Sequence, residues 1–224
     1  MPDQPVTKPR RPRTSAATPD RNERRKARTR AKLLAAGRHL FASQGFEQTT
    51  IRDIAAAADI ALGGFYNYFP TKDDVLTALL EDALTGQLRL LVLRQGQVED
   101  VAERVSIAHR HLLAAVREDP DWGWLLLRLQ VDHQVVESAL GERAGGDLAQ
   151  GIASGRFAVS NPRLALLASG GALLGVVPGV LRGEFSAADD CAHAEGILRG
   201  FGVDPHDAAE IARRPLPALP EDGA

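Results

Sequence analysis

The chain has 224 residues, of which 25% are charged and 44% hydrophobic, enough for one large or two small domains with a buried core. Its formal net charge of −2 conceals an uneven distribution. Residues 1–32 carry eleven basic and three acidic side chains, a net +8, whereas residues 33–224 carry 16 basic and 26 acidic side chains, a net −10. A basic arm on an acidic body is typical of a protein that binds a polyanion.

Several classes of protein are excluded or disfavoured by composition. The single cysteine, Cys191, excludes an intrachain disulfide and any zinc or iron–sulfur site built from several cysteines. Residues 1–32 contain no apolar segment of the kind that a secretory signal needs, so we expect a cytoplasmic location. Residues 164–181 carry no charge, but their small residues favour close contact between helices over a membrane span. We expect no membrane partner, no metal and no cofactor.

Apolar residues spaced by three and four predict helices along most of the chain. Residues 1–22, rich in proline and arginine, are predicted to be a disordered basic tail. A first helix follows and ends at Gly45. Two short helices over residues 50–58 and 61–68 come next, and Thr71 is expected to cap a long helix.

The rest of the chain is also predicted to be helical. Asn161 and Ser186 are expected to cap two later helices. No segment alternates as a strand does, so the predicted fold class is all-α with nine or ten helices. The predicted domains are an N-terminal three-helix helix-turn-helix domain at residues 23–70, a larger helical domain at 71–214 and a flexible tail at 215–224.

An aromatic group lies in the second short helix. Residues 65–69 hold four of the eleven aromatic residues of the chain, including both tyrosines. Phe65 and Phe69 share a face and are predicted to pack inward, whereas the hydroxyls of Tyr66 and Tyr68 suit phosphate or base-edge contacts. Gly63 and Gly64 precede them, and two poor helix formers in one short helix suggest close backbone approach to another molecule.

Residues 28–80 resemble the DNA-binding domain of the TetR family of bacterial transcriptional regulators. The features that carry the resemblance are an apolar helix, Gly45-Phe46, Thr49-Thr50, Ile54-Ala55, the aromatic group and Lys72. The resemblance implies a recognition helix at residues 61–68 in the major groove of an operator, with Lys72 on a phosphate. The residues that it places at double-stranded DNA are Arg28, Arg30, Thr50, Arg52, Ala61, Leu62, Gly63, Gly64, Tyr66, Asn67, Tyr68 and Lys72.

The resemblance also implies a homodimer and an unknown small-molecule effector bound in residues 71–214. The candidates for the dimer interface are Ala168, Gly171, Ala172, Gly175, Cys191, Ala194 and Leu198. The candidates for the effector pocket are His109, Arg110, Trp122, Trp124, Leu126, Arg128 and His133. Trp122 and Trp124 are two residues apart and cannot share a helix face, so one of them is expected to be ordinary core.

The predicted function is a TetR-type repressor that binds a near-palindromic operator as a homodimer and is released by the effector. No catalytic residues are expected, because the sequence contains no G-x-S-x-G, H-E-x-x-H or P-loop motif. Two alternatives remain open. One is a regulator of the same fold without a small-molecule ligand. The other is a helical interaction protein that has lost DNA binding, suggested by Ala61 and Leu62 at positions where the family often has a helix cap and a polar residue.

Overall fold

The computed structural model describes residues 21–96, 98–129 and 139–219. These ranges contain ten α-helices and no strand, so the predicted all-α class is confirmed. The helices are α1 (Arg21–Gln44), α2 (Ile51–Ala57), α3 (Leu62–Phe65), α4 (Lys72–Gln95), α5 (Val101–Glu118), α6 (Pro120–Leu129), α7 (Ala139–Ala153), α8 (Pro162–Leu181), α9 (Ala187–Gly200) and α10 (Pro205–Arg213).

Helix starts follow capping residues that are visible in the sequence. A hydroxyl oxygen accepts a hydrogen bond from a backbone N–H of the first turn, and a carboxylate at the third helical position accepts one from the N–H of the capping residue. This reciprocal arrangement occurs at three helices, in the pairs Thr50–Asp53, Thr71–Asp74 and Ser186–Asp189. Asn161 caps α8 by accepting from the N–H of Leu164. The caps predicted at Thr71, Asn161 and Ser186 are therefore confirmed.

Three apolar clusters hold the helices together. The N-terminal core joins α1, α2 and α3 to the first half of α4, and it includes Leu33, Ile54, Phe65 and Val75. The central core joins α4, α5, α6 and α8. The C-terminal core joins α5, α7, α9 and α10 around Leu198. Because α4 contributes to the N-terminal and the central core, the helix that follows residue 70 connects the two halves of the molecule.

The second helix of the helix-turn-helix is shorter than the predicted 61–68. Helix α3 has four residues and continues as turns through Asn67 and Tyr68. Ala61 supplies no side-chain cap, and Gly63 and Gly64 each weaken a helix by about 1 kcal/mol relative to alanine. These losses account for the short length.

Helix α8 is apolar but mostly exposed. Its 20 residues reach a mean hydropathy of 2.0 over an 18-residue window, of which 22% is buried. Its length and composition alone would allow this helix to cross a membrane, but the core helices of soluble proteins pass the same test. Leu164 and Leu167 on this helix are 63% and 43% exposed. The helix therefore presents an apolar face that the single chain leaves uncovered.

Arginines of α4 and α5 hold the segment that follows α10. Arg110 donates to the carbonyl of Arg214 at 2.6 Å, and Arg94 donates to the carbonyl of Pro217 at 2.8 Å. Residues 215–219 are non-helical and lie within reach of these helices. Of the tail predicted at residues 1–22, Arg21 and Asn22 already belong to α1, and residues 1–20 lie outside the described residues, as does the chain end at 220–224.

A buried histidine pair joins α5, α8 and α9. Nδ1 of His109 lies 3.0 Å from Nε2 of His193, and Nε2 of His109 lies 2.9 Å from Oγ of Ser169. Burial, with a smaller contribution from His193, lowers the pKa of His109 to about 3. Burial also lowers the pKa of His193. The folded chain therefore keeps His109 neutral near pH 7 and disfavours the charged form of His193.

This pair predicts loss of stability in acid. The unfolded chain binds a proton at His109 near the ordinary pKa, and the folded chain resists it, so the free energy of unfolding falls as pH drops from about 6.5 toward 3. Between about pH 7.5 and about pH 5 the wild type should lose about 2 kcal/mol more than His109→Asn, measured by denaturant unfolding. His39→Asn, at an exposed histidine, should keep the wild-type slope. Identical slopes for wild type and His109→Asn would contradict this assignment.

Candidate nucleic-acid interface

Helices α2 and α3 are joined by a tight turn. Asp59 adopts a left-handed backbone with φ of 56°, a conformation that aspartate tolerates better than most residues. Its N–H donates to the carbonyl of Ala56 at 3.1 Å, and the N–H of Ile60 donates to that of Ala55 at 2.9 Å. These bonds end α2 and redirect the chain into α3, which is the arrangement of a helix-turn-helix.

One side of this unit is buried. Ile54 and Phe65 are 0% exposed, and Phe69 lies in the same core. The rings of Phe65 and Phe69 are 6.0 Å apart, as expected for residues predicted to pack inward. Because this side is anchored in the N-terminal core, the opposite side of α3 has a fixed orientation.

The opposite side faces solvent. Tyr66 is 54% exposed and Leu62 is 39% exposed, and Asn67 is also exposed. The ring of Tyr66 contacts the buried ring of Phe65 edge-on at 5.7 Å, which restrains its direction. The predicted DNA contacts that share this exposure are Arg28, Thr50, Arg52, Ala61, Leu62, Gly63, Tyr66 and Asn67.

The two glycines of α3 differ. A methyl group added at Gly63 would meet no atom within 4 Å, so the backbone at Gly63 is accessible to another large molecule. At Gly64 the same methyl group would lie 3.0 Å from Cγ2 of Ile60. Gly64 is therefore explained by packing within the chain, and the prediction of close approach to another molecule applies to Gly63.

Tyr68 and Arg30 are less available than predicted. Tyr68 is half-buried and packs against the N-terminal core. Arg30 is half-buried, its guanidinium lying 5.3 Å above the ring of Phe69 and 3.8 Å from a carboxylate oxygen of Asp82. Both side chains have contacts within the chain that a DNA contact would have to share.

Lys72 is engaged inside the domain. Its ammonium donates to the carbonyls of Phe46 at 2.9 Å and Thr49 at 3.2 Å, and it lies 4.3 Å above the ring of Phe46. Two of its three N–H bonds are therefore used to hold the turn before α2. Contact with a phosphate through the third stays a prediction.

The start of α2 is rigidly defined. Thr49 is buried and donates to the carbonyl of Gly45 at 2.8 Å. The carboxylate of Asp53 accepts from the hydroxyl of Thr50 at 2.7 Å and from its N–H at 2.9 Å, and these bonds lower the pKa of Asp53. Arg52 is thus exposed on a helix whose first turn is fixed on both sides.

The effector-pocket candidates in the described part of the chain have different environments. Trp122 and Leu126 belong to the central core, whereas Trp124 is 53% exposed, so the prediction that one tryptophan is ordinary core is confirmed. His109 and Arg110 are used by the internal contacts described above. The side chain of Arg128 and all of His133 lie outside the described residues.

A group of buried polar atoms on α4 and α5 was not predicted from the sequence. Oε1 of Gln87, Nε of Arg94 and Nε2 of His111 are buried polar atoms without a hydrogen-bond partner in the described part of the chain. Gln87 and Arg94 are seven residues apart on α4, so they share a face, and the pKa of His111 is lowered by burial and by the charge of Arg94. The sequence shows polar residues at inward helical positions, and this was the available signal. It does not show that the polar residues of α4 and α5 lie together.

The interface candidates fall into two groups. Ala168, Gly171, Ala172 and Gly175 are exposed along α8, and Cys191 is half-buried. Ala194 and Leu198 are 1% and 0% exposed, so within the single chain they are core residues. They lie four residues apart on the inward face of α9, the helix that packs against α5 and α10.

Family models match most of the chain outside its ends. A model described as "Bacterial regulatory proteins, tetR family" matches residues 33–79. A model described as "Tetracyclin repressor-like, C-terminal domain" matches residues 100–214, which is half of the chain.

Curated relatives match a part of the chain. The HTH-type transcriptional repressor Rv3405c of Mycobacterium tuberculosis is 37% identical over 84 residues, which are 38% of this chain and 44% of that protein. The HTH-type transcriptional repressor KstR2 of Rhodococcus jostii is 41% identical over 71 residues, 30% of this chain and 34% of that protein. The chain therefore spans less than half the length of these curated relatives.

Solved structures match over nearly the whole chain. RolR in complex with resorcinol is 33% identical with a TM-score of 0.70, covering 88% of this chain and 99% of that one. RolR without ligand is 34% identical with a TM-score of 0.73, covering 85% of this chain and 100% of that one.

Proposed function

This chain belongs to the TetR family of bacterial transcriptional regulators, and we propose that it is a repressor that binds a near-palindromic operator as a homodimer and leaves it when a small molecule binds. The family and the fold are those of regulators and not of enzymes. The observation that carries the DNA-binding part is the exposed face of α3, fixed in direction by Phe65 and Phe69 beneath it. As a regulator of transcription, it is proposed to act in the cytoplasm.

The chemistry of this face supports DNA recognition. Tyr66 and Asn67 offer hydrogen-bonding groups to bases or phosphates, Leu62 offers an apolar contact to a thymine methyl group, and Arg52 offers a charge on the adjoining helix. A basic stretch at the start of α1, including Arg24, suits the phosphate backbone. This combination favours DNA binding over the alternative of an interaction protein that has lost it.

The exposed apolar face of α8 supports dimerisation. Small residues there allow a second helix to approach closely, and an operator reader of this kind spans two half-sites about 34–36 Å apart by pairing two copies. The single chain leaves this face in water. We therefore assign α8 to the contact between two copies, without the buried Ala194 and Leu198.

The unpartnered polar atoms between α4 and α5 support a small-molecule site. Gln95 donates to the carbonyl of Arg104 at 2.9 Å, and this antiparallel register brings Gln87 opposite His111. Buried polar groups without partners are costly unless a water or a ligand satisfies them. RolR was solved with resorcinol, so the proposed effector is a compact hydroxylated aromatic molecule whose hydroxyls bond to Gln87, Arg94 and His111.

Helix α4 supplies a physical route from this site to the DNA. Its 24 residues span about 36 Å, from Lys72 beside the turn before α2 to Arg94 beside the proposed ligand. A ligand shifts the balance only by its different affinity for the DNA-bound and released forms. A change at the Arg94 end that moves α4 changes the spacing of the two recognition helices.

Arg52→Ala tests the DNA interface. Loss of this exposed side chain should weaken binding to the region flanking its own gene by about tenfold and binding to unrelated DNA much less, as measured by fluorescence anisotropy at one fixed salt concentration. Arg89→Ala removes the same charge from an exposed site on α4 and should leave the affinity close to wild type. Absence of any specific site for the wild type at low salt would support the interaction-protein alternative.

Gly171→Leu tests the dimer. The position is exposed with open space around it, so the new side chain fits the single chain but obstructs close approach of a second helix. Sedimentation equilibrium should show a dimer dissociation constant at least about tenfold larger than that of the wild type. Gly146→Leu, at an equally open glycine of α7, should not change it. If both variants dimerise equally well, α8 does not form the interface.

Resorcinol tests the effector class. Added to the wild-type protein on its DNA site, it should lower the affinity by about tenfold, because allosteric couplings are typically of this size. His111→Leu should lose this response and keep its DNA affinity, whereas His206→Leu, at an exposed histidine, should retain the response. No response of the wild type to hydroxylated aromatics would support the alternative of a regulator without such a ligand.

A further inference from the structure

A cavity lies where the helix-turn-helix part meets the rest of the molecule. Its volume is about 270 Å³. One wall is formed by the end of α1 and the turn after it, and the other by α4 and the first turns of α6. The lining residues are Phe41, Ala42, Gly45, Phe46, Leu76, Asp121 and Trp124. None of them belongs to the unpartnered polar group between α4 and α5.

The chemistry of this cavity is aromatic with one negative charge. Trp124 is 53% exposed, an unusual position for so large an apolar side chain. Asp121 is the one ionisable residue in the lining, and its carboxylate has no hydrogen bond or ion pair in the described part of the chain. The neighbouring Asp119 differs, because it is paired with Arg38 and accepts from the N–H of Trp122.

We propose that this cavity binds a small aromatic ammonium ion, with its ring among the apolar residues and its charge between Asp121 and Trp124. A cation is attracted to the face of an aromatic ring, most strongly to that of tryptophan, and a carboxylate without a partner adds a charge-assisted hydrogen bond. The volume lies just below the usual range for ligand pockets, which limits the guest to a single ring with a short side chain.

Lys72 sets the orientation of this ligand. Its ammonium lies 4.3 Å above the ring of Phe46, so one face of that ring already carries a positive charge. A second cation is repelled from this end of the cavity. The ammonium group of the ligand therefore lies at the Asp121 end, and its ring lies toward Phe41 and Leu76.

The test uses 2-phenylethylammonium and its neutral analogue 2-phenylethanol, titrated into the full chain by calorimetry without DNA. The ammonium ion should bind saturably and at least about tenfold more tightly than the alcohol, because only the ion uses the carboxylate. Asp121→Asn should weaken binding of the ion by about tenfold and leave that of the alcohol unchanged. Glu118→Gln, at an exposed carboxylate outside the lining, should bind the ion as the wild type does.

Three results would overturn the proposal. They are no saturable binding of the ammonium ion, equal binding of the ion and the alcohol, and ion binding unaffected by Asp121→Asn. Trp124→Leu provides a second variant at an exposed site and should also weaken the ion selectively. Circular dichroism of each variant separates loss of the site from loss of the fold. Since DNA is absent, these outcomes do not depend on the proposed repressor activity.

Discussion

The close crossing of α1 and α4 determines where the helix-turn-helix stands relative to the rest of the molecule. A methyl group added to Gly37 of α1 would lie 2.7 Å from Cγ1 of Val75 on α4, closer than two carbon atoms can approach. With a larger residue at position 37 the side chain of Val75 would have to shift, so Gly37 lets the backbone of α1 pack directly against Val75 of α4. Because α4 also enters the central core, it couples the helix-turn-helix to the body, and the pairing of Arg38 on α1 with Asp119 adds a second connection.

Local chemistry explains why most of the fold was predictable. Hydroxyl and amide caps at Thr50, Thr71, Asn161 and Ser186 define where four helices begin. Both partners of each capping bond lie within a few residues of each other, so the sequence alone reveals them. Helix α3 was predicted too long because apolar spacing continued past Phe65, while its glycines and missing cap opposed helix formation. In this segment, backbone preference outweighed periodicity.

The site was predictable on one helix and not across several. The spacing of Phe65 and Phe69 fixed which side of α3 is buried, and hence which side is exposed. The bonds of Lys72 to the carbonyls of Phe46 and Thr49 join residues more than twenty positions apart, and no local pattern announces them. The family resemblance made Ala194 and Leu198 on α9 candidates for contact with a second chain, yet both are buried within this one.

The uncovered face of α8 has a consequence for the life of the protein in a cell. In the proposed dimer, a newly made chain has Leu164 and Leu167 in water until it meets a second copy. Chaperones and proteases act on chains that expose apolar surface. Pairing through α8, as proposed, would therefore protect each chain from turnover, and the affinity of pairing would set the lowest concentration at which the regulator persists.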